Sequence, residues 1–310
     1  MDIMKKIIIY ILLFISASST VCHSDEEEII AVIKSRNIIQ YNTALRGFKN
    51  YLIRAGIDAR VIEYNIEGKR EDGLMKIFEE IELSKPSLVL TLGTSATKIA
   101  KEMIKDVPVV FTMVLNPEGS KISPPGVVMD IHPEIELKNL RRILPDAKVI
   151  GLIYSNNSIS TYKEISQVSG QFSFQLIGKK INSGNEFSKA LDDIFWQTDC
   201  FLMTPDSKIY FPKSVEYLLQ EGLRKKIPVV GFSSHCTQAG AIISFECDYE
   251  DLGRQTAEYV LRMLAGEELV NLKFIKPRKI IFSLNLIVAQ RLGVKVPSEV
   301  IKKAYMVFGE

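Results

Sequence analysis

Histidine and cysteine are scarce in this chain, three and four among 310 residues, with no C-x-x-C pair and no cluster of histidines. Structural and catalytic metal sites draw on such ligands at short spacing, so a resident metal is not expected. An excess of one charge is missing as well. Thirty-nine basic residues stand against 37 acidic ones, a net of +2, and no long basic run occurs. That removes the electrostatic footprint of a nucleic-acid binder. Neither G-x-G-x-x-G nor a Walker lysine motif is present, which sets a nucleotide phosphate aside. A neutral or zwitterionic solute suits this balance better, and no cofactor is required.

Long apolar runs are also absent. Ile7 to Ile15 is too short to cross a bilayer comfortably, since a membrane helix needs roughly 20 apolar residues. Lys5 and Lys6 precede that run, small residues Ser16 to Thr20 follow it, and an acidic stretch begins at Asp25. This is the order of a secretory signal peptide, so residues 1–24 are expected to be removed on export. Cys22 raises the alternative of a lipid anchor. The residues before it, Ser19-Thr20-Val21, lack the Leu and the Gly or Ala of a lipoprotein signal, and a soluble periplasmic protein is the expectation. Cys200, Cys236 and Cys247 then remain. An odd set cannot all pair; Cys236 and Cys247 either bridge or serve, like Cys200, as small buried hydrophobes.

What the chain does have is 46% hydrophobic residues, enough to bury the cores of two domains. Short β-branched runs alternate with helix-period segments. Ile29 to Ile33 reads as a strand, and Ala44, Leu45, Phe48, Tyr51 and Leu52 as a helix stopped by Gly56. Further strands are expected at 59–64, 87–92 and 107–111, with helices at 74–83 and 94–104. Uniformly apolar strands between helices of this length indicate a parallel sheet covered on both faces. Asn116 to Pro125 is turn chemistry and is read as a boundary. The pattern then repeats, with helices at 133–143, 161–168, 184–194 and 212–225 and strands at 149–154, 174–179, 200–204 and 229–232. Two α/β units in sequence suggest two lobes across a cleft.

The segments KPSLVLTLGTSATKIA, VPVVFTMVLNPEG, LPDAKVIGLIYSNNS, TPDSKI, KKIPVVGF, AGAIISFECDYEDLGRQTAEYVLRMLAGEE and FSLNLIVAQRLGVKVP run in this order through residues 85–297. In order and spacing the chain resembles the ABC transporter substrate-binding family that includes tryptophan- and tyrosine-type amino-acid binders. The resemblance implies a type I periplasmic-binding-protein fold: two Rossmann-like lobes with parallel sheets joined by three hinge crossovers. It places 25–130 plus 249–272 in lobe one and 131–248 plus 273–310 in lobe two. It further implies a monomer without enzymatic activity whose partners are a small-molecule ligand and an ABC permease with its ATPase. The chain departs from the family at two cleft positions. Leu115-Asn116-Pro117-Glu118 stands where Thr-Asp-Pro-Val is common, and the usual His after the first strand is missing, so the ligand of characterised relatives is not carried over.

In open parallel sheets, ligands bind beyond the carboxyl ends of the strands. Thr94 and Ser95 follow such a strand and open a helix, so they either hold a ligand carboxylate or act as an ordinary cap. Asp206 matches an acidic position of the family and could take a ligand ammonium; its competing role is a turn. Ser207 beside it, Ser155, Asn156 and Asn116 are polar candidates equally suited to turns. Tyr41, Tyr154, Tyr210, Phe211 and Phe232 are candidates for an apolar wall or for core. His235 and Cys236 are adjacent but lack an orienting acid at a recognisable spacing. His132 is expected at a hinge or cap, and Trp196 packed on the outer face of lobe two. Presentation of the solute to a signalling receptor, or an enzyme on the same scaffold, are the alternative functions.

Overall fold

The computed structural model describes residues 28–123, 125–265, 267 and 274–309. The expected leader, residues 1–24 with Cys22, lies outside the described residues. In chain order the elements are β1 (Glu28–Lys34), α1 (Ile39–Arg54), β2 (Ala59–Asn65), α2 (Glu71–Ser84), β3 (Leu88–Leu92), α3 (Thr94–Met103), β4 (Val109–Val114) and β5 (Gly126–Val128). Then come α4 (Pro133–Ile143), β6 (Val149–Tyr154), α5 (Ile159–Val168), β7 (Gln175–Lys180), α6 (Phe187–Phe195), β8 (Cys200–Leu202), α7 (Pro212–Lys225), β9 (Val229–Gly231), α8 (Ser234–Ala239) and β10 (Ile243–Cys247). The chain closes with α9 (Tyr249–Leu264), β11 (Phe274–Ile275), β12 (Ile280–Asn285), α10 (Leu286–Leu292), α11 (Ser298–Ile301) and β13 (Met306–Phe308).

These strands form two sheets. One has the order β11-β5-β4-β3-β1-β2 and is parallel throughout. The other, β13-β12-β10-β9-β8-β6-β7, is parallel except where β12 runs against β10. Alternation along each buried strand feeds two cores. Ile30, Val32, Leu88 and Leu90 meet Phe48 and Leu52 of α1 and Leu252 and Val260 of α9 on one face of the first sheet. Ala31, Ile33 and Val89 meet Phe78 and Ile81 of α2 and Ala96 and Ala100 of α3 on the other. The second sheet is sandwiched likewise, by Leu137, Leu140 and Ile165 on one side and Phe187, Leu191, Phe195 and Leu218 on the other. Burial on both faces is what a parallel sheet requires.

The chain passes between the sheets three times: between β5 and α4, at Asp248 between β10 and α9, and between β11 and β12. The second passage works because α9 can lie flat on α1. Cβ atoms on Gly47 and Gly253 would strike the backbone oxygens of Glu250 and Ala44 respectively. The two helices therefore approach to main-chain contact, which only glycine permits. Asp248 starts α9 by accepting the amide of Asp251 at 3.1 Å, an N-cap worth ~1 kcal/mol. Its carboxylate also pairs with Lys279 at 2.6 Å, which ties the second passage to the third.

Several expectations shift. The strand expected at 107–111 runs Val109–Val114, after Pro108, and residues 116–123 and 125 belong to a loop inside the first sheet. β5 beyond that loop, only three residues long, carries no periodic signal. Phe274 and Ile275, expected in lobe two, pair with Gly126 and Val127 of the first sheet; sheet two resumes at β12. The helix expected from Gly184 begins at Phe187, after a 3-10 turn at Gly184–Glu186. Trp196 is 72% exposed rather than packed, with the Lys225 ammonium 4.7 Å from its ring.

Candidate functional site

The carboxyl ends of β1, β3 and β4 and those of β6, β8, β9 and β10 carry the polar loops. On the first sheet, Gly93 follows β3 with φ +88°, and a Cβ there would strike the Tyr41 hydroxyl and press on Ser35. The turn is thus held open for a tyrosine, whose phenol is raised above its usual range by burial. Ser35 Oγ accepts the Ala96 amide at 2.8 Å, and Thr97 Oγ1 donates to the Gly93 carbonyl at 2.9 Å. Ser35 therefore caps α3. Thr94, half-buried, and Ser95, exposed, stand at the positive end of that helix.

At the end of β4 the register against β5 shifts between Thr112 and Val114, and Met113 and Asn116 take φ values of 60° and 44°. Such a bulge re-aims the residues that follow. Asn116 donates its amide to Asp130 Oδ2 at 2.8 Å, accepts the Gly119 amide at 3.0 Å, and donates through Nδ2 to the Asn157 carbonyl. That last bond joins a first-sheet loop to a second-sheet loop. Asp130, in the first passage, has its carboxyl pushed up to about 6 by burial.

On the second sheet Asp206 is 5% exposed. Its Oδ2 accepts Ser155 Oγ at 2.6 Å, Ser158 Oγ at 2.6 Å and the Ser155 amide at 3.2 Å, while Oδ1 accepts the Lys208 amide at 3.0 Å. The turn role considered from sequence is therefore filled, and Asp206 in addition draws in the loop after β6. Ser155 and Ser158 are buried beneath it, whereas Asn156 and Ser207 are exposed at the rim. Thr204 Oγ1, two residues before Asp206, is buried with no hydrogen-bond partner among the described residues.

Glu246, the penultimate residue of β10, was not singled out in the sequence. It is 6% exposed, accepting the Ser234 amide at 3.0 Å and the Tyr249 hydroxyl at 2.9 Å. Burial first, and then this carboxylate, raise the Tyr249 phenol. A charge inside the apolar run Ala241 to Cys247 was the available signal. Of the aromatic candidates, Tyr210 is core, edge-on to Phe187 and tilted against Phe232, and Tyr154 stacks on Tyr162 at 4.1 Å. Phe211 is 41% exposed, and Tyr41 covers Gly93. His235 is exposed and Cys236 buried, its sulfur 3.5 Å from Ser233 Oγ. Cys200, Cys236 and Cys247 are all free thiols.

A concavity also borders the loops after β8 and β9. About 790 Å³ in volume, it runs along lobe two between α7, α8 and α10, walled by Val215, Leu219, Leu223, Ile287 and Val288. Its aliphatic walls lack the convergent buried polar groups of the strand ends, so the strand ends are the better candidate for a polar solute.

The model of the ABC transporter substrate binding protein family matches residues 30–308, and the chain belongs to that family. A curated relative, the tyrosine-binding protein of Clostridioides difficile strain R20291, is 22% identical over 197 residues, 59% of this chain and 56% of that protein. The match thus spans about half of the relative's length. Among solved structures, a ligand-free, open substrate-binding protein with adhesive properties from Clostridium difficile superposes with a TM-score of 0.74 at 20% identity. An ABC domain from Streptococcus pneumonia in complex with L-Trp gives 0.66 at 19%. Each alignment covers 91% of this chain and 100% of the other, and together they establish a shared two-lobed fold.

Proposed function

We propose that this protein is the extracytoplasmic solute-binding component of an ABC importer, holding a small zwitterion such as an amino acid between its lobes. The observation that carries this reading is the placement of polar loops at the carboxyl strand ends of two sheets joined by three passages, in a chain of the substrate-binding family. The N-terminal end of α3 with Thr94 and Ser95 suits a carboxylate. Asn116, and the Ser155–Asn156 and Asp206–Ser207 loops, supply polar contacts from the two sides, with Asp206 acting through the serines it holds. The names of the tyrosine- and tryptophan-binding relatives favour an amino acid over a sugar.

Hinge motion at the passages would close the lobes on the ligand. A solute that binds only the native clamp stabilises it by about 2.7 kcal/mol at 100 times Kd. A thermal-shift screen of the common amino acids is the test. At least one is expected to raise Tm with concentration, and a flat response from all of them rejects the ligand class.

A further inference from the structure

Among the described residues, Asp251 and Asp206 are buried carboxylates that are well provided for. Asp251, 7% exposed, is paired with Arg278 at 2.9 Å. Asp206 receives four donors from its own loops. Glu246 differs from both. It is as deeply buried, yet it receives only two neutral donors, and no ion pair is formed by it among the described residues. A carboxylate has room for about four donors, and an ion taken out of water without a counter-charge is costly.

Its position supplies the reason. β10 runs parallel to β9, with Ser244 level with Gly231, so Glu246 sits two residues further on, beside the loop that leaves β9. Its two donors come from opposite sides of the second passage. Ser234 belongs to lobe two, while Tyr249 opens the helix that packs on the first sheet. The unfilled acceptor capacity thus lies where the lobes join.

We propose that Glu246 is the counter-charge for a cationic group of the solute, so that the ligand must carry a protonated amine. This rests on the solute-binding reading above and makes Glu246, rather than Asp206, the acid that takes the ammonium. A charge-assisted bond to a buried carboxylate is the strong kind, and its loss weakens binding by ~10- to 100-fold.

The test is titration calorimetry with the amino acid that gives the largest thermal shift and with its deaminated analogue, L-tyrosine against 3-(4-hydroxyphenyl)propanoate being one such pair. Native protein should favour the amine at least tenfold. Glu246→Gln should lose that preference while keeping its affinity for the analogue. Tyr249→Phe, which removes a donor and leaves the charge, should keep the preference. Native binding of an amino acid with unchanged affinity in Glu246→Gln overturns this assignment alone, as does an equal loss for amine and analogue. Should Glu246→Gln fail to fold, the native protein decides, since a preference below threefold overturns the requirement for an amine. If no amino acid binds the native chain, the ligand class and the Glu246 assignment fall together.

Discussion

Replacing Asp206 by Asn separates a structural carboxylate from one that only meets ligand. Oδ2 takes three donors, from Ser155 and Ser158, both 1% exposed, and Oδ1 takes the Lys208 amide. An amide oxygen has two lone pairs and no charge, and the NH2 that replaces the other oxygen cannot accept the Lys208 amide. Hydrogen bonds to a charged group contribute about 1.5–3 kcal/mol and neutral ones about 0.5–1.5. Weakening three and losing a fourth that water can reach should cost ~2–4 kcal/mol. For a chain of this size that is a fall in Tm of about 5–15 °C. Differential scanning calorimetry of ligand-free protein reads it directly. A fall below about 2 °C would refute the reasoning and return Asp206 to a purely ligand-facing role. Ser158→Ala should be less damaging, and combining it with Asp206→Asn should cost less than the two separate losses, because both changes break the same bond.

Two further outcomes follow from the hinge and from the helix crossing. Burial raises the Asp130 carboxyl from 3.8 to about 6. Its contribution is therefore fully present below the unfolded value, is lost as pH rises through about 6, and amounts to at most ~3 kcal/mol. Asp130→Asn keeps an oxygen for the Asn116 amide, so it should match native stability near pH 4 and exceed it at pH 7.5. Urea midpoints that respond to pH identically in both proteins would contradict this. Gly253→Ala should force α9 away from the Ala44 carbonyl of α1 and cost ~1–3 kcal/mol or more, visible as a lowered urea midpoint; an unchanged midpoint would mean that the crossing yields freely.

Much of the fold was legible because it is local. The β-branched run at the start of β1, the helix-period apolar residues of α1 and the Pro-led starts of α4 and α7 declare themselves within a few residues. β5 and β11 did not, since strands of three and two residues carry no periodicity and exist only because each pairs with the other beside β4. For that reason the turn-rich segment 116–125 was read as a boundary although the first sheet continues beyond it, and the last passage was set too early.

At the candidate site the sequence could mark polar loops at strand ends, because that follows from the parallel topology alone. It could not say how the donors are shared. Whether Asp206 is free or surrounded depends on Ser155 and Ser158, about 50 residues away, and whether Ser35 or Thr94 caps α3 depends on how β1 lies beside β3. Glu246 was hidden for the same reason. Its sequence neighbours are apolar, and the lack of a counter-charge appears only when β9, β10 and α9 are brought together. Residue type and short-range period determine which elements form. Which buried charge is left with capacity for a ligand is set by contacts between distant segments, and only the tertiary structure decides those.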